Sequence, residues 1–355
     1  QDTEKALNAI AQKLEANATK YAYDEALHQG LPANFVQRKS VNFAIQSFRQ
    51  GAAAVQLLLK NHGPEISYRP TGIISFIVSW NLSLRLVSER LSAALAAGNA
   101  CLIKVSSNSP ITAQILGEIL SEVGAPAGLV QFIHGRGDDV GALLSAHPSV
   151  RAVTFVGKLS TAEKVAKAAL PQFKKVQIAA GTKNSSMILG DADYSALMPK
   201  ILESFLIGQG QMGWNTSRLF VLESMQSEVF AKLTEVVQAQ VPATDPNSNT
   251  LWFPMITREA ADVVANKVNQ LKGEGGKIVV GGHKPSDVSG FFFQPTFSLD
   301  LSNCSELQQE EISGPLFIIT AVKYVHEMNK WSNTGFYGHS AVLWGSAEKA
   351  AKLSE

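Results

Sequence analysis

Apolar residues recur at helical spacing through residues 6–23 and again through 35–59, so the first sixty positions predict helices that each bury one face. Beyond them the period shortens. Gly72-Ile73-Ile74-Ser75-Phe76-Ile77-Val78 reads as a buried strand, and residues 84–97 read as a helix stopped by Gly98. Strand and helix then alternate. Strands are predicted over 100–105, 129–133, 150–156 and 175–179, with helices opening at Pro110 and running over 138–146 and 160–169. Short apolar runs joined by helices indicate a parallel sheet covered on both faces, which binds ligands at the carboxyl ends of its strands.

The second half continues in the same manner with less regularity. Helices are predicted over 194–207, 226–239 and 258–272, and strands near 277–280 and 317–322. No internal repeat, low-complexity tract or long linker interrupts the chain, and the boundary between the two series falls at residues 181–184. Helical patterns run into both ends, so both read as cut.

Composition narrows the classes. Hydrophobic residues at 45% and charged ones at 17% are ordinary for a globular protein. A net charge of +1, from 31 Lys and Arg against 30 Asp and Glu, gives no electrostatic footprint for nucleic acid or a membrane surface. No stretch approaches the roughly 20 apolar residues that insertion in a bilayer requires, and no signal-peptide pattern is visible. Of the two cysteines, Cys101 sits in an apolar run and is expected in the core, while Cys304 is expected on a loop. They make no disulfide framework, so a reducing cytoplasm is the expected compartment.

Candidate chemistry is sparse. Gly135-Arg136-Gly137-Asp138-Asp139-Val140-Gly141 follows a strand and opens a helix, but its spacing is one residue longer than the dinucleotide fingerprint, which favours a tight turn. The seven histidines are scattered without metal-ligand spacing, and no Gly-x-Ser-x-Gly occurs. Lys104 ends a strand, where a cation meets either phosphate, ribose or solvent.

Read as ordered blocks from Arg69 to Gly345, the chain resembles the aldehyde dehydrogenase superfamily. The blocks include Pro70-Thr71-Gly72, Trp80-Asn81, Ile103-Lys104-Val105-Ser106, Phe155-Val156-Gly157, Gly181-Thr182-Lys183-Asn184, Gly210-Gln211-Met212-Gly213 and Glu310-Glu311-Ile312-Ser313-Gly314-Pro315. The resemblance implies an α/β, aldehyde-dehydrogenase-like fold. A Rossmann-type nucleotide-binding domain is expected over 1–182, and a catalytic-type domain, incomplete at its C-terminus, over 183–355.

In that family a cysteine attacks the aldehyde, an asparagine helps hold the oxyanion, hydride passes to NAD or NADP, and a glutamate activates water. Mapped by motif, the asparagine is retained as Asn81, but the nucleophile position is Gly213 and the general-base position is Ala179. Glycine and alanine supply neither thiolate nor carboxylate. Thr216 and Ser217 lie nearby without a partnered base in the local sequence.

The resemblance implies cofactor contacts at Trp80, Asn81, Lys104, Ser107, Gly157, Lys158 and Glu311. Several of these depart from the pattern. Lys158 replaces a small polar residue facing the pyrophosphate, Ser107 replaces an acidic residue on the adenosine ribose, and Ser313 replaces a phenylalanine against the nicotinamide. NAD or NADP binding is therefore expected to be weakened or lost, with any remainder leaning to NADP. The family's intersubunit hairpin is shortened between Lys60 and Arg69, so a homo- or hetero-oligomer, or a place in a larger assembly, is expected without the usual pairing. Three readings follow: a catalytically degenerate pseudoenzyme, an oxidoreductase with a non-standard mechanism, and an architectural module without ligand.

Overall fold

The computed structural model describes residues 2–60 and 68–354. The chain divides into two units, one ending at Ala180 and the other beginning at Gly181. The shortened hairpin expected before Arg69 falls on residues 61–67, outside the described residues.

The first unit opens with α1 (Asp2–Ala16), α2 (Ala18–Gln29), the single turn α3 (Ala33–Val36) and α4 (Asn42–Lys60). Leu7, Ile10, Ala11 and Leu14 form the buried stripe of α1, the spacing that helical amphipathicity requires. Residues Gln37–Val41 make a π turn leading into α4.

The alternating series follows as β1 (Ile73–Ile77), α5 (Ser83–Ala96), β2 (Ala100–Lys104), α6 (Ile111–Glu122) and β3 (Val130–Phe132). It continues with α7 (Ala142–Ala146), β4 (Val150–Gly157), α8 (Leu159–Ala169) and β5 (Lys175–Ala180). These strands form a five-stranded parallel sheet in the order β3-β2-β1-β4-β5. The winding direction reverses between β1 and β4, which makes their carboxyl ends the topological switch point.

Gly98 stops α5 as its sequence position predicts: at φ 77° its N–H reaches Leu95 O, and Asn99 N–H reaches Ala94 O. Two details differ from the sequence reading. Pro110 stands at the N-cap of α6, one residue before the helix. The helix expected over 138–146 is a π turn, Gly137–Gly141, that runs into the short α7.

The second unit contains β6 (Asn184–Ile188), α9 (Tyr194–Leu206), β7 (Thr216–Leu222), α10 (Gln226–Gln238), α11 (Arg258–Gly273) and β8 (Lys277–Val280). It ends with β9 (Thr296–Leu299), α12 (Glu306–Gln309), β10 (Leu316–Val322), α13 (Val325–Ser332), β11 (Ala341–Trp344) and α14 (Ala347–Ser354). A six-stranded sheet runs β11-β6-β7-β10-β9-β8, antiparallel only between β8 and β9. Its core is aromatic. The rings of Phe205, Phe297 and Phe317 pack with centroids 5.0 to 5.7 Å apart.

The sequence reading did not find β6, β7, β9 or β11. Strand β6 is buried at every position although it holds Asn184, Ser185 and Ser186. Likewise, β7 buries Thr216, Ser217 and Arg218. Polar residues inside the fold, only some of whose atoms are paired (Ser185 Oγ and Arg218 Nε are buried without a partner), erase both the apolar run and the alternation that mark a strand.

Candidate functional site

In the first unit, β1 leads to Trp80 and Asn81, both half-buried at the switch point. The hydroxyl of Ser79 donates to Asn81 Oδ1. Leu82, the next residue, is left-handed at φ 51°, ψ 48° and begins α5 without a side-chain cap of its own. Such a backbone on a buried leucine costs about 1–3 kcal/mol, so its surroundings must impose the turn.

Strand β4 leads to Gly157 and Lys158. A Cβ on Gly157 would stand 2.8 Å from Phe155 Cζ, so the glycine leaves the backbone uncovered at the strand end. Lys158 is the exposed N-cap of α8, extended at φ −69°, ψ 145°. The unpaired amides of a helix N-terminus beside a cation suit an anion. Strand β2 ends in Lys104, which is 6% exposed, and whose amine donates to Val105 O at 3.1 Å. Burial holds its pKa below the usual lysine value. Ser107 is exposed in the following turn, where Asn108 N–H donates to Ser106 Oγ at 3.2 Å.

These groups fit a dinucleotide's phosphates in part. The exposed cation Lys158 and the bare strand end at Gly157 favour an anion, whereas the Lys104 amine is already turned onto a backbone carbonyl. The glycine loop before α7 takes the tight-turn form. Gly135 lies at φ 148°, and a Cβ there would stand 2.4 Å from Val140 Cγ2. Asp138 and Asp139 then open the π turn, a placement that repels phosphate. Ala179 is exposed on β5, the last strand of the sheet, in register with Val156. A cavity of about 500 Å³ lies elsewhere, on the sheet face lined by Phe76, Arg90, Thr154 and Gln177.

In the second unit, Gly213 is half-buried in the turn before β7. The turn is held from several sides. Asn184 Nδ2 donates to Gly213 O at 2.8 Å and to Asn215 O at 2.9 Å, while Met212 N–H donates to Asn215 Oδ1 at 2.8 Å. A Cβ on Gly213 would find Thr182 Cγ2 nearest, at 3.9 Å, which is ordinary contact. Nothing in the backbone or the packing requires glycine there. Gly210 is the opposite case: it is left-handed at φ 67°, and a Cβ would stand 2.4 Å from Gly314 O.

Lys183 is buried, its amine donating to Leu307 O at 2.7 Å. Burial first, then the nearby Arg218 and Lys267, holds its pKa well below the usual lysine value, against the pull of Glu310 and Glu311. Arg218 donates to Lys183 O at 2.7 Å, Ser332 O at 2.8 Å and Trp331 O at 3.2 Å. Its burial lowers its pKa to about 10. Thr216 and Ser217 are buried in β7, with Thr216 Oγ1 3.1 Å from Ser204 Oγ. Glu311 is half-buried, and its carbonyl accepts from Lys267 Nζ at 3.2 Å. Ser313 is half-buried two residues on.

Sequence reasoning missed Glu25 and Gln29, which lie in the buried stripe of α2 with Tyr21, Ala22 and Ala26. A carboxyl and an amide on an apolar stripe were the available signal. Cys101 is buried, which pushes its thiol up to about 12, and Cys304 is exposed. Among the described residues no cluster suits a metal ion, and no helix is long and apolar enough to cross a membrane.

Comparison with known proteins is consistent throughout. The family model described as "Aldehyde dehydrogenase family" matches residues 1–355. A 2-hydroxymuconic semialdehyde dehydrogenase of Pseudomonas sp. (strain CF600) is 28% identical over 95% of this chain and 73% of its own length. A 2-aminomuconic semialdehyde dehydrogenase of Homo sapiens is 28% identical over 98% of this chain and 74% of its own. Among solved structures, a betaine aldehyde dehydrogenase from Staphylococcus aureus in complex with NAD+ superposes with a TM-score of 0.93 at 25% identity, covering 99% of this chain and 72% of that one.

Proposed function

The chain belongs to the aldehyde dehydrogenase family, and from that premise we propose that it is a pseudoenzyme serving a binding, structural or regulatory role. The observation that carries this reading is Gly213. Its turn is held by Asn184 and Asn215 and has room for a side chain, yet the residue at the nucleophile position has none. Ala179 at the general-base position removes the second catalytic group. Losing a nucleophile alone typically costs several powers of ten in rate.

Under this reading the unit ending at Ala180 is the nucleotide-binding domain and the unit from Gly181 is the catalytic-type domain. Gly157, Lys158 and the N-terminus of α8 are the groups that would hold a pyrophosphate, with Lys104, Ser107 and Trp80 of the same unit around the rest of an NAD or NADP molecule. The cofactor, when bound, supplies a hydride acceptor. Lys158 leaves that binding weak, and Ser107, in place of a carboxylate, favours NADP over NAD. The protein acts in the cytoplasm as a homo- or hetero-oligomer or within a larger assembly.

The decisive measurement is NAD(P)+ reduction by the purified protein with a panel of aldehydes, including the muconic semialdehydes. We expect none above a heat-denatured control, and a gain of turnover in the double variant Gly213→Cys, Ala179→Glu. Turnover by the unaltered protein would sink the reading. A thermal-shift series with NAD and NADP asks separately about binding, because a ligand of the folded state raises Tm.

A second reading draws on the relatives named as semialdehyde dehydrogenases and on the retained Asn81. It makes the chain an NAD(P)-dependent aldehyde oxidoreductase with a non-standard mechanism. Burial of Thr216 and Ser217 weighs against either as nucleophile. Mass spectrometry after aldehyde trapping tests it, and an unmodified chain removes its covalent form.

A further inference from the structure

The N-terminus of α5 has no cap nearby in the chain, yet its amides at Leu82, Leu84 and Arg85 are paired. Gln29 Oε1 accepts from Leu82 N–H at 2.8 Å, and Glu25 Oε1 accepts from Leu84 N–H at 2.9 Å. Arg85 N–H donates to Ser40 Oγ at 3.2 Å. The partners come from α2 and the π turn after α3, far earlier in sequence. They replace the local cap that a Ser, Asp or Asn would supply at position 82.

The same groups reach a second turn. Gln29 Nε2 donates to Glu25 Oε1 at 3.0 Å and to Ser109 Oγ at 3.1 Å. Ser83 Oγ lies 2.8 Å from Ser109 Oγ and 2.6 Å from Thr112 Oγ1. Ser109 N–H closes the turn after β2 by donating to Ser106 O at 3.1 Å. Glu25, Gln29, Ser83, Ser109 and Thr112 are all at most 1% exposed. Water does not compete for these bonds, and leaving any of them unmade is costly.

We propose that Gln29 and Glu25 are positioning residues of the candidate nucleotide site. Through one buried hub they hold the turn bearing Trp80 and Asn81 and the turn bearing Ser107 as a single unit. The inference rests on the reading that these turns face a nucleotide, but the mechanical coupling stands on the hydrogen bonds alone. The left-handed Leu82 is the strained element that the hub imposes. Gln29 couples the two turns because its carbonyl oxygen serves one and its amide nitrogen the other. Glu25 Oε1 accepts from Leu84 N–H and from Gln29 Nε2, roles that the amide oxygen of a glutamine at that position retains.

Hydrogen exchange followed by mass spectrometry tests the coupling in the full chain. In Gln29→Leu, exchange is expected to rise about tenfold, the worth of a buried hydrogen bond, in peptides covering residues 79–86 and 105–110 alike. Peptides from α8 and β5 should stay unchanged, and Glu25→Gln should exchange like the unaltered protein. The milder Ser109→Ala should release 105–110 most, and it serves if Gln29→Leu does not fold. In that variant Ser83 Oγ keeps its bond to Thr112 Oγ1, and Leu82 and Leu84 keep theirs to Gln29 and Glu25. A rise in only one turn in Gln29→Leu, or a uniform rise across the unit, would overturn the proposal, as would unchanged exchange at 105–110 in Ser109→Ala.

An NADP titration by thermal shift supplies the readout that a purely structural role leaves still. Gln29→Leu is expected to weaken NADP about tenfold while Glu25→Gln keeps the original affinity. NADP binding unaltered by Gln29→Leu contradicts the positioning role. No NADP binding by the unaltered protein removes the nucleotide reading, leaving exchange to decide the coupling.

Discussion

Each unit anchors a backbone turn at its candidate site with buried polar side chains, but from different distances along the chain. In the first unit, Gln29 and Glu25 reach across 53 and 59 residues to Leu82 and Leu84. In the second, Asn184 holds Gly213 from 29 residues away, and both flank strands of one sheet, β6 and β7. Arg218 on β7 reaches back 35 residues to Lys183. The first turn therefore depends on packing by the N-terminal helices, while the second is framed by its own sheet. A turn framed in this way keeps its shape when a side chain it once displayed is gone, which is the state we propose for Gly213.

Breaking the second frame should cost most. Arg218→Met strands three carbonyls, and about 3 kcal/mol or more of stability should be lost, read from the urea midpoint of the transition assigned to this unit. A smaller effect is a change in pH response. Lys183 returns to a pKa of about 10.4 when unfolded, so between its depressed folded value and about 10.4 the unfolded chain binds the additional proton. Stability should rise with pH across that window, by at most about 1.4 kcal/mol per pH unit from this one group. Lys183→Met should flatten that slope in Tm measured against pH; an unchanged slope would show that the amine stays charged in the fold. The smallest effect is expected at Gly213 itself. Gly213→Ala should change stability by no more than about 0.5 kcal/mol, because its Cβ meets only ordinary contact. A large loss in that variant would mean that glycine is required by the turn, and the comparison between the units would fail.

Legibility from sequence followed the same division. Helices and strands of the first unit's sheet were readable because each has one apolar face and a marked end, as at Gly98 and at the stripe of α1. In the second unit β6 and β7 are central and buried, but Ser186 accepts from Trp344 Nε1 at 2.6 Å and Arg218 donates to three carbonyls. Their polarity hides them from any count of apolar residues. For the candidate site, only motif order pointed to Asn81, Gly157 and Gly213, and no local pattern of spacing or polarity singles them out; Lys104 was marked by its place at a strand end as well. The hub showed only as a carboxyl and an amide, Glu25 and Gln29, on the apolar stripe of α2; its partners more than fifty residues away leave no local spacing to read.

Ala179 sits on β5, where the sheet ends and where Val176 and Ile178 are 38% and 41% exposed. An uncovered sheet border with apolar side chains is a template for unwanted strand addition between molecules. Lys175 stands exposed at its start, and its charge opposes a second chain lining up there, whereas the Lys174 amine is tied to Ser145 O and His147 O. Colloidal behaviour should thus depend on the Lys175 amine. Lys175→Gln is expected to turn a dispersed solution into one that scatters light on warming, well before the fold itself gives way.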